Sequence, residues 1–355
     1  MTDQDLTHQL VEQVTQASKR NQHLQITAGG SKQFYPYQLS DGLDTQPLDV
    51  SQHVGIIDYE PSELYITARC GTALRQIEDT LAEHNQMLAF EPPAFSDQAT
   101  IGGTVACGLS GPRRPYAGAC RDAILGVNII NGLGEYLSFG GQVMKNVAGY
   151  DVSRAMCGAL GTLGVIAQIT LKVIPIPKQE TTICLDCDMS GALKQLINLT
   201  QTSTPISASY YEADQLFLRL ALTDKELEAW LLKHSAKMIE QEDFWKQIKE
   251  QQCDFFNTQQ PLWRCSLPMA SPALDIDGDI ACEWNGGLHW YKSHDDNKKI
   301  IAAAEKVGGT ARLFRYPCSD TQSSMSPALM SLHQKIKQAF DPKGLLNPGQ
   351  LDPAL

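Results

Sequence analysis

Three short glycine-rich segments are the part of this chain best suited to holding a ligand. Ala28-Gly-Gly-Ser-Lys32 follows a candidate strand ending at Thr27, and Thr100-Ile-Gly-Gly-Thr104 opens the stretch densest in glycine. Gly158-Ala-Leu-Gly-Thr-Leu-Gly164 carries glycine at every third position and runs into Val165-Ile166. Glycine lets the main chain adopt φ > 0 and come close to a ligand, and bare amide N–H groups suit a doubly charged diphosphate. In the first segment Ser31 and Lys32 can add side-chain contacts. A simple turn explains that segment alone equally well. Three such segments within the first 170 residues, in strand-rich context, argue for a wrapped anionic ligand. The spacing is not the G-x-G-x-x-G of a dinucleotide-binding Rossmann unit.

The elements that must position these loops follow from periodicity. Leu6, Leu10, Val14 and Ala17 mark a helix over about 4–19, and Leu74, Ile77 and Leu81 a second one. Strands are expected at Leu24–Thr27, Val54–Tyr59, Leu64–Arg69, Gly126–Ile130 and Glu135–Phe139, the last two joined through Asn131-Gly132 as a hairpin. Ala167, Ile169, Leu171 and Val173 alternate with polar residues as a half-buried strand. Fourteen of the 27 glycines lie between Gly102 and Gly164, and Pro175 and Pro177 then mark a domain boundary. Beyond it the pattern changes. Thr181–Cys187, Ser207–Glu212, Gln215–Ala221, Ile280–Tyr291 and Thr310–Phe314 read as strands, and Gly191–Leu199 and Asn297–Val307 as helices. A further helix opens on the capping box Thr223-x-x-Glu226. This second part is an α+β domain with an antiparallel sheet. A last helix starts at Ser326-Pro327, with Leu329, Leu332, Ile336 and Phe340 facing inward, and stops at Asp341-Pro342-Lys343-Gly344.

Composition narrows the function classes. A formal charge of −11 over 355 residues disfavours nucleic acid as a partner. Yet from Ile101 to Pro177 six basic residues face three acids, a local excess that suits a small anion. The start of the chain has no basic, apolar leader, and the longest uncharged stretch, Ala155–Leu171, is short and glycine-interrupted for a membrane span. No direct membrane insertion is expected, and any membrane association would have to come through a partner. The ten cysteines show no metal-site spacing beyond the single pair Cys184-Leu-Asp-Cys187, so no metal is expected, and their scatter suits a reducing cytoplasm.

Detailed wording then points to a family. Tyr59-Glu-Pro-Ser-Glu-Leu-Tyr-Ile-Thr-Ala68, Gly71-Thr72, Glu91-Pro-Pro93, Ala99-Thr-Ile-Gly-Gly103, Ser110-Gly-Pro-Arg-Arg114, Arg121-Asp122, Lys145-Asn-Val-Ala-Gly-Tyr-Asp151 and Gly161-Thr-Leu-Gly164 resemble the PCMH-type FAD-binding domain of the vanillyl-alcohol-oxidase superfamily. The whole set, with the closing Phe340-Asp-Pro…Leu346-Asn-Pro-Gly349, resembles the smaller flavin-type subunits of glycolate oxidases. The resemblance implies an α+β fold with a two-part FAD-binding domain at 1–177, an antiparallel-sheet cap domain at 178–325, and a C-terminal segment, 326–355, packing back on the FAD domain. It implies that Gly29, Gly30, Ser31 and Lys32 hold the pyrophosphate of FAD. Pro92, Thr100, Gly102, Gly103, Gly161, Gly164 and Ile166 then line the flavin. The first loop offers no His for covalent attachment, so FAD is expected to be non-covalent.

The implied activity is oxidation of glycolate to glyoxylate within a complex. A second FAD-binding subunit and an iron–sulfur subunit would complete it and carry electrons onward. A self-sufficient dehydrogenase of another small 2-hydroxy acid or alcohol, and a non-catalytic flavin-fold scaffold, are the other readings. Oxidising a hydroxy acid calls for a base and for a cation on the carboxylate. His289, in Trp284-Asn-Gly-Gly-Leu-His-Trp290, is a candidate base, with a structural role in an aromatic cluster as the alternative. Arg113 and Arg114 are candidate anion holders or parts of a solvated loop, and Lys145 and Tyr150 candidate site-lining or packing residues. Related loops often read Gly-Ser-Glu-Gly-Thr-Leu-Gly; here Leu160 replaces the Glu and cannot do its chemistry. Trp230, Trp245 and Trp263 read as core.

Overall fold

Alternation of apolar and polar residues makes strands, and tertiary pairing decides how deeply each is buried. The computed structural model describes residues 3–35, 43–141, 151–315 and 325–355. The fold is α+β, as expected, and the chain divides into two units. The first comprises Met1–Ser110, Ala119–Ile176 and Met325–Leu355, and the second Gly111–Gly118 with Pro177–Ser324. The segment carrying Arg113 and Arg114 therefore belongs with the later part of the chain, not with the glycine loops that flank it in sequence.

The strands of the first unit are β1 (His23–Thr27), β2 (Thr45–Asp49), β3 (Ile56–Glu60), β4 (Tyr65–Arg69), β5 (Gln86–Met87), β6 (Ile124–Ile130), β7 (Tyr136–Gly140), β8 (Val165–Lys172) and β9 (Ile174–Pro175). β1 and β2 form a parallel pair, β5 and β9 an antiparallel one, and the rest a sheet in the order β3-β4-β8-β6-β7. β8 is central, so it is more than half-buried: only Gln168 and Lys172 keep partial exposure, and Thr170 meets Thr67 hydroxyl to hydroxyl at 2.9 Å. The helix Thr7–Arg20 buries Leu10, Val14 and Ala17 in the shared core, and Leu74–Ala82 buries Leu74, Ile77 and Leu81. Each such leucine contributes roughly 1.5–3 kcal/mol by leaving water.

The β6–β7 connection differs from a two-residue hairpin. It spans five residues, with the Asn131 side-chain oxygen accepting from the amides of Leu133 and Glu135 at 3.0 Å each. The left-handed position is Gly134, at φ +83°. Gly132 is needed for another reason: a Cβ there would lie 2.2 Å from Asp341 Oδ1.

That contact belongs to the returning C-terminal segment. The helix Pro327–Phe340 is capped by Ser326, whose hydroxyl accepts from Leu329 N. Ile336 and Phe340 pack on the core as expected, but Leu329 and Leu332 are 43% and 52% exposed. The helix is rotated by its buried lysine, not by the leucine row. Lys337 Nζ donates to Thr162 O at 2.7 Å, Asp341 Oδ2 at 2.8 Å and Leu346 O at 2.8 Å. Burial pushes the lysine's pKa down while Asp341 opposes the shift. Asp341 Oδ2 also accepts from Leu346 N at 2.7 Å, so one ion pair ties the helix end, the tail and the third glycine loop together.

The second unit is one antiparallel sheet of β10 (Thr181–Asp186), β11 (Ile206–Glu212), β12 (Gln215–Leu220), β13 (Lys237–Ile239), β14 (Leu262–Ser266), β15 (Asp279–Glu283), β16 (Leu288–Lys292) and β17 (Thr310–Arg315). Their order is β13-β10-β12-β11-β15-β16-β14-β17. The helices Met189–Thr200 and Asp224–His234 share one apolar cluster with the sheet, and Asn297–Lys306 shares another. The stretch 280–291 is a hairpin rather than one strand. Trp284, Asn285 and Gly286 turn the chain with φ of +57°, +56° and +74°. Trp230, Trp245 and Trp263 are buried, as read from sequence.

Two consequences are measurable. Lys337→Met leaves the Asp341 carboxylate buried and uncompensated, and should cost about 3–5 kcal/mol, read as a lowered thermal midpoint by circular dichroism. The second concerns acid. His289 is fully buried between its register partners Cys265 and Cys282, and burial pushes its pKa down to about 4 against the pull of backbone hydrogen bonds. In the first unit, burial likewise lowers His53, whose Nδ1 accepts from Leu6 N at 2.9 Å. A lowered folded pKa means that the unfolded chain binds the proton first, so stability falls as pH drops from about 6.5 toward 4. For His289 the loss should reach about 3 kcal/mol. All five tryptophans lie in the second unit, so urea unfolding followed by tryptophan fluorescence reads it, and His289→Leu should flatten the acid limb.

Candidate functional site

β1 ends at Thr27 and releases the chain into Ala28-Gly29-Gly30-Ser31, which borders a cavity of about 360 Å³ in the first unit. Of the eleven residues expected at the cofactor, ten lie on its wall: Gly29, Gly30, Ser31, Lys32, Thr100, Gly102, Gly103, Gly161, Gly164 and Ile166. Pro92 does not. It is buried in the segment behind Lys32, where the Ala94 carbonyl accepts from Lys32 Nζ at 3.3 Å, so its place is in support of the wall.

The three loops contribute differently. Gly29 lies so close to the backbone of Gln98 that a Cβ would fall 1.5 Å from Gln98 O. Gly30 takes φ +71° and its carbonyl accepts from Gln33 N at 3.2 Å, a tight turn. Among the described residues none accepts from the amides of Gly29, Gly30 or Ser31. These are three consecutive donors on residues that line the cavity. The helix Ile101–Cys107 has its first amides taken by the protein itself: Ile101 N donates to Thr72 O at 2.9 Å, Gly102 N to Cys70 O at 2.8 Å, and Gly103 N to the capping Thr100 hydroxyl at 3.2 Å. What glycine provides there is closeness, since a Cβ on Gly102 would lie 2.6 Å from Cys70 Cβ. In the third loop Gly161 takes φ +73°, and a Cβ on it would meet Asn347 Nδ2 at 2.7 Å. The amides of Gly161 and Gly164 also find no acceptor among the described residues.

Asn347 is one of the wall residues that sequence reasoning left out, with Gln25, Cys70, Cys107 and Gln350 among the others. Its side-chain oxygen accepts from Ile26 N at 2.7 Å, and its amide nitrogen donates to Leu160 O at 2.7 Å. One buried side chain thus joins β1 to the third glycine loop. The Leu346-Asn-Pro-Gly349 wording was its signal. Leu160 itself is buried on the wall at φ +52°, its amide bonded to Ala106 O at 2.9 Å.

The electrostatics suit an anion. No acidic side chain among the described residues lines the cavity, while Lys32 does, with Nζ 3.3 Å from Ser31 Oγ. Cys70, also on the wall, has its thiol pushed up to about 12 by burial, so it is a neutral and unreactive neighbour. A diphosphate linked to flat rings needs unclaimed amides, close backbone and one cation, and the residues present fit that group.

The remaining candidates lie in the second unit. Arg113 does grip a carboxylate, but the protein's own: its guanidinium meets Glu180 in a two-point pair at 3.0 and 2.6 Å. Burial opposes ionisation of Glu180, and Arg113 with Arg219 more than offsets it, holding its pKa below the ordinary value. Arg114 stacks on Trp284, with Cζ 4.2 Å from the ring centroid. His289 is wholly enclosed, and its pKa near 4 keeps it neutral. Enclosed in this way, it fits the structural role better than that of a base. Lys145 and Tyr150 fall outside the described residues. No helix among the described residues is long and apolar enough to cross a membrane.

Comparison with known proteins agrees with this geometry. Residues 6–140 match the FAD binding domain family, and residues 320–351 match the C-terminal domain of FAD linked oxidases. The chain is 40% identical to glycolate oxidase subunit GlcE of Escherichia coli (strain K12), covering 98% of this chain and 97% of the relative. It is 31% identical to a D-lactate dehydrogenase of Anaerostipes hadrus, over 83% of this chain and 78% of that one. The solved structure of p-cresol methylhydroxylase superposes with a TM-score of 0.72 at 14% identity, covering 100% of this chain and 89% of the other, which extends the likeness to the fold. With cradle, fold and sequence in accord, this chain belongs to the glycolate oxidase subunit GlcE family and is an FAD-dependent oxidoreductase.

Proposed function

We propose that the chain is a non-covalent FAD subunit of a complex that oxidises glycolate to glyoxylate. In this reading a second FAD-binding subunit and an iron–sulfur subunit complete the assembly and carry the electrons away. The GlcE relative's name as one subunit of a glycolate oxidase, matched over nearly the full chain, supports it. The observation that carries it is the row of three amides, Gly29 to Ser31, that border the cavity and have no acceptor among the described residues.

The residues then divide the work. The amides of Gly29, Gly30 and Ser31 hold the diphosphate, and Lys32 balances its charge. Thr100, Gly102, Gly103, Gly161, Gly164 and Ile166 let the backbone close around the rest of the cofactor. Asn347 keeps the first and third loops at fixed separation, and its side chain is fully engaged in doing so. FAD, when bound, supplies the two-electron acceptor for the hydride that leaves the α-carbon of the acid. The first loop carries no His, and of the two cysteines on the wall, Cys70 and Cys107, burial holds Cys70 as a thiol, which supports non-covalent attachment.

Two experiments decide this. Trichloroacetic acid precipitation should leave a colourless pellet and flavin in the supernatant; a yellow pellet would contradict non-covalent binding. The spectrum of the purified chain should show flavin bands that glycolate bleaches anaerobically only when the partner subunits are present. Bleaching by the chain alone would indicate a self-sufficient dehydrogenase. A colourless chain that its partners still require would indicate a scaffold.

Gly29→Ala places a methyl group against Gln98 O and must displace the loop. Loss of the diphosphate's charge-assisted hydrogen bonds, each about 1.5–3 kcal/mol, should weaken FAD at least tenfold. The measurement is flavin retained after dialysis, with circular dichroism unchanged.

A further inference from the structure

The ten cysteines look scattered along the chain, yet folding of the first unit gathers three of them at the end of the helix Ile101–Cys107. Cys107 closes that helix and lines the cavity, and Gly108 follows it at φ +64°. A Cβ on Gly108 would lie 3.2 Å from Cys157 Sγ and 3.0 Å from Gly158 N, so the chain after Cys157 is pressed onto the helix end. Cys120 opens the short helix Cys120–Ala123 and is fully enclosed in the core, where its amide donates to Ser110 Oγ at 3.0 Å. A thiol–thiol hydrogen bond joins Cys120 to Cys157, and Cys107 is near enough to act on the same thiol electrostatically. Neither Cys120 nor Cys157 is in a disulfide.

A buried cysteine often serves only as a small apolar filler. That explains Cys120 taken singly, but not its pairing with a second thiol that reaches water. Cys157 is half-buried, so it is the member of the pair that a small solute can reach first. The Cys157 thiol beside it, and then burial, push the pKa of Cys120 well above the ordinary value, so Cys120 keeps its proton until a partner sulfur is activated. Cys157 also sits at a junction. The next residue, Gly158, donates its amide to Val105 O at 3.0 Å, and Leu160 donates to Ala106 O at 2.9 Å. The third glycine loop therefore hangs from the helix end by two backbone hydrogen bonds that begin directly after Cys157.

We propose that Cys120 and Cys157 form an oxidation site, a dithiol that hydrogen peroxide closes to a disulfide, and that closure loosens the third glycine loop around FAD. The Cys157 thiolate attacks one peroxide oxygen; an S–O bond forms, the O–O bond breaks, and hydroxide leaves and takes up a proton as water. The Cys120 sulfur then attacks Cys157 sulfur; the S–S bond forms, the S–O bond breaks, and the departing hydroxide takes the Cys120 proton as a second water. Two thiols are oxidised and one peroxide is reduced to two waters. Closure draws the sulfurs from hydrogen-bond range to about 2.05 Å. Cys120 is fixed in the core, so Cys157 moves, and Gly158 is drawn off Val105 O. The dithiol chemistry stands on these residues alone, and its effect on the cofactor rests on the FAD reading of the cavity.

Peptide mapping of the FAD-loaded full chain tests it. After treatment with hydrogen peroxide, alkylation and digestion without reductant, mass spectrometry should find Cys120 and Cys157 in one cross-linked pair, lighter by two hydrogens and split by dithiothreitol. Flavin retained on dialysis should fall roughly threefold in the oxidised chain, the effect of one lost hydrogen bond, and return with dithiothreitol. Cys157→Ser should abolish both effects. Cys120→Ser should strand Cys157 as a sulfenic acid that dimedone labels and the parent does not show. Cys187→Ser, in the sequence-adjacent pair with Cys184, should change nothing. A map in which Cys120 and Cys157 stay alkylated while other thiols oxidise, or are joined to other cysteines, overturns the proposal. A disulfide that leaves flavin retention unchanged overturns its link to the loop. If neither serine variant folds, the map of the parent still decides. A chain that takes up no FAD counts against the reading of the cavity instead, and the same map can be made on it.

Discussion

Three adjacent amide groups with no acceptor among the described residues line the cavity of the first unit. Gly30 is exposed and Gly29 and Ser31 are half-buried, so water can serve these donors until an anion replaces it. The loop that carries them is held from several sides. Gly29 is pressed on Gln98, β1 is pinned by β2 on one side, and the Leu345–Asn347 tail is bonded to Leu24 on the other. The cavity is thus shaped by what surrounds the loop as much as by the loop itself. The same logic separates the loops by function: the helix Ile101–Cys107 satisfies its own first turn and supplies only proximity, whereas the first and third loops keep donors in reserve.

The brace on that arrangement is placed far along the chain. Asn347 bonds β1 and Leu160, while Lys337 bonds Thr162, Asp341 and Leu346. A buried ion pair contributes little net stability when its desolvation is set against its attraction. Its value here is geometric. Three oxygens from separate segments converge on one ammonium, and only one rotation of the C-terminal helix satisfies them. That rotation leaves Leu329 and Leu332 in water, an outcome that hydrophobic burial alone would not select.

Legibility from sequence followed the range of the interactions. The glycine loops were readable because closeness to a backbone leaves a compositional trace, and nearly all of the residues named from them reach one wall. Helices such as Leu74–Ala82 and strands such as β4 were readable because their period is local. What escaped was set by distant partners. β8 was read as half-buried because nothing local says that strands flank it on both sides. Leu329 and Leu332 were read as inward because Asp341 and Thr162 are invisible to a helical wheel. The 280–291 hairpin was missed because its turn places Trp284 and Asn285, not only glycine, at positive φ. Asn347 was quoted as part of a motif but not as a wall residue, since its role exists only once β1 and Leu160 are brought beside it.

The two left-handed residues at that turn show what polar contacts can enforce in the second unit. A strand pair with a relaxed glycine turn would place the same apolar residues in the same core, so packing does not demand left-handed tryptophan and asparagine. Strain of about 1–3 kcal/mol per residue persists only where the surroundings enforce it. Here the enforcement is polar: Gly111 O on the indole, and Tyr116 with Ser209 on the amide. These contacts fix the plane of Trp284 beneath Arg114 and Arg264, on the face opposite His289. A histidine sealed among cysteines at a pKa near 4 serves the core, and the indole on which Arg114 and Arg264 rest is fixed by polar contacts rather than by apolar packing.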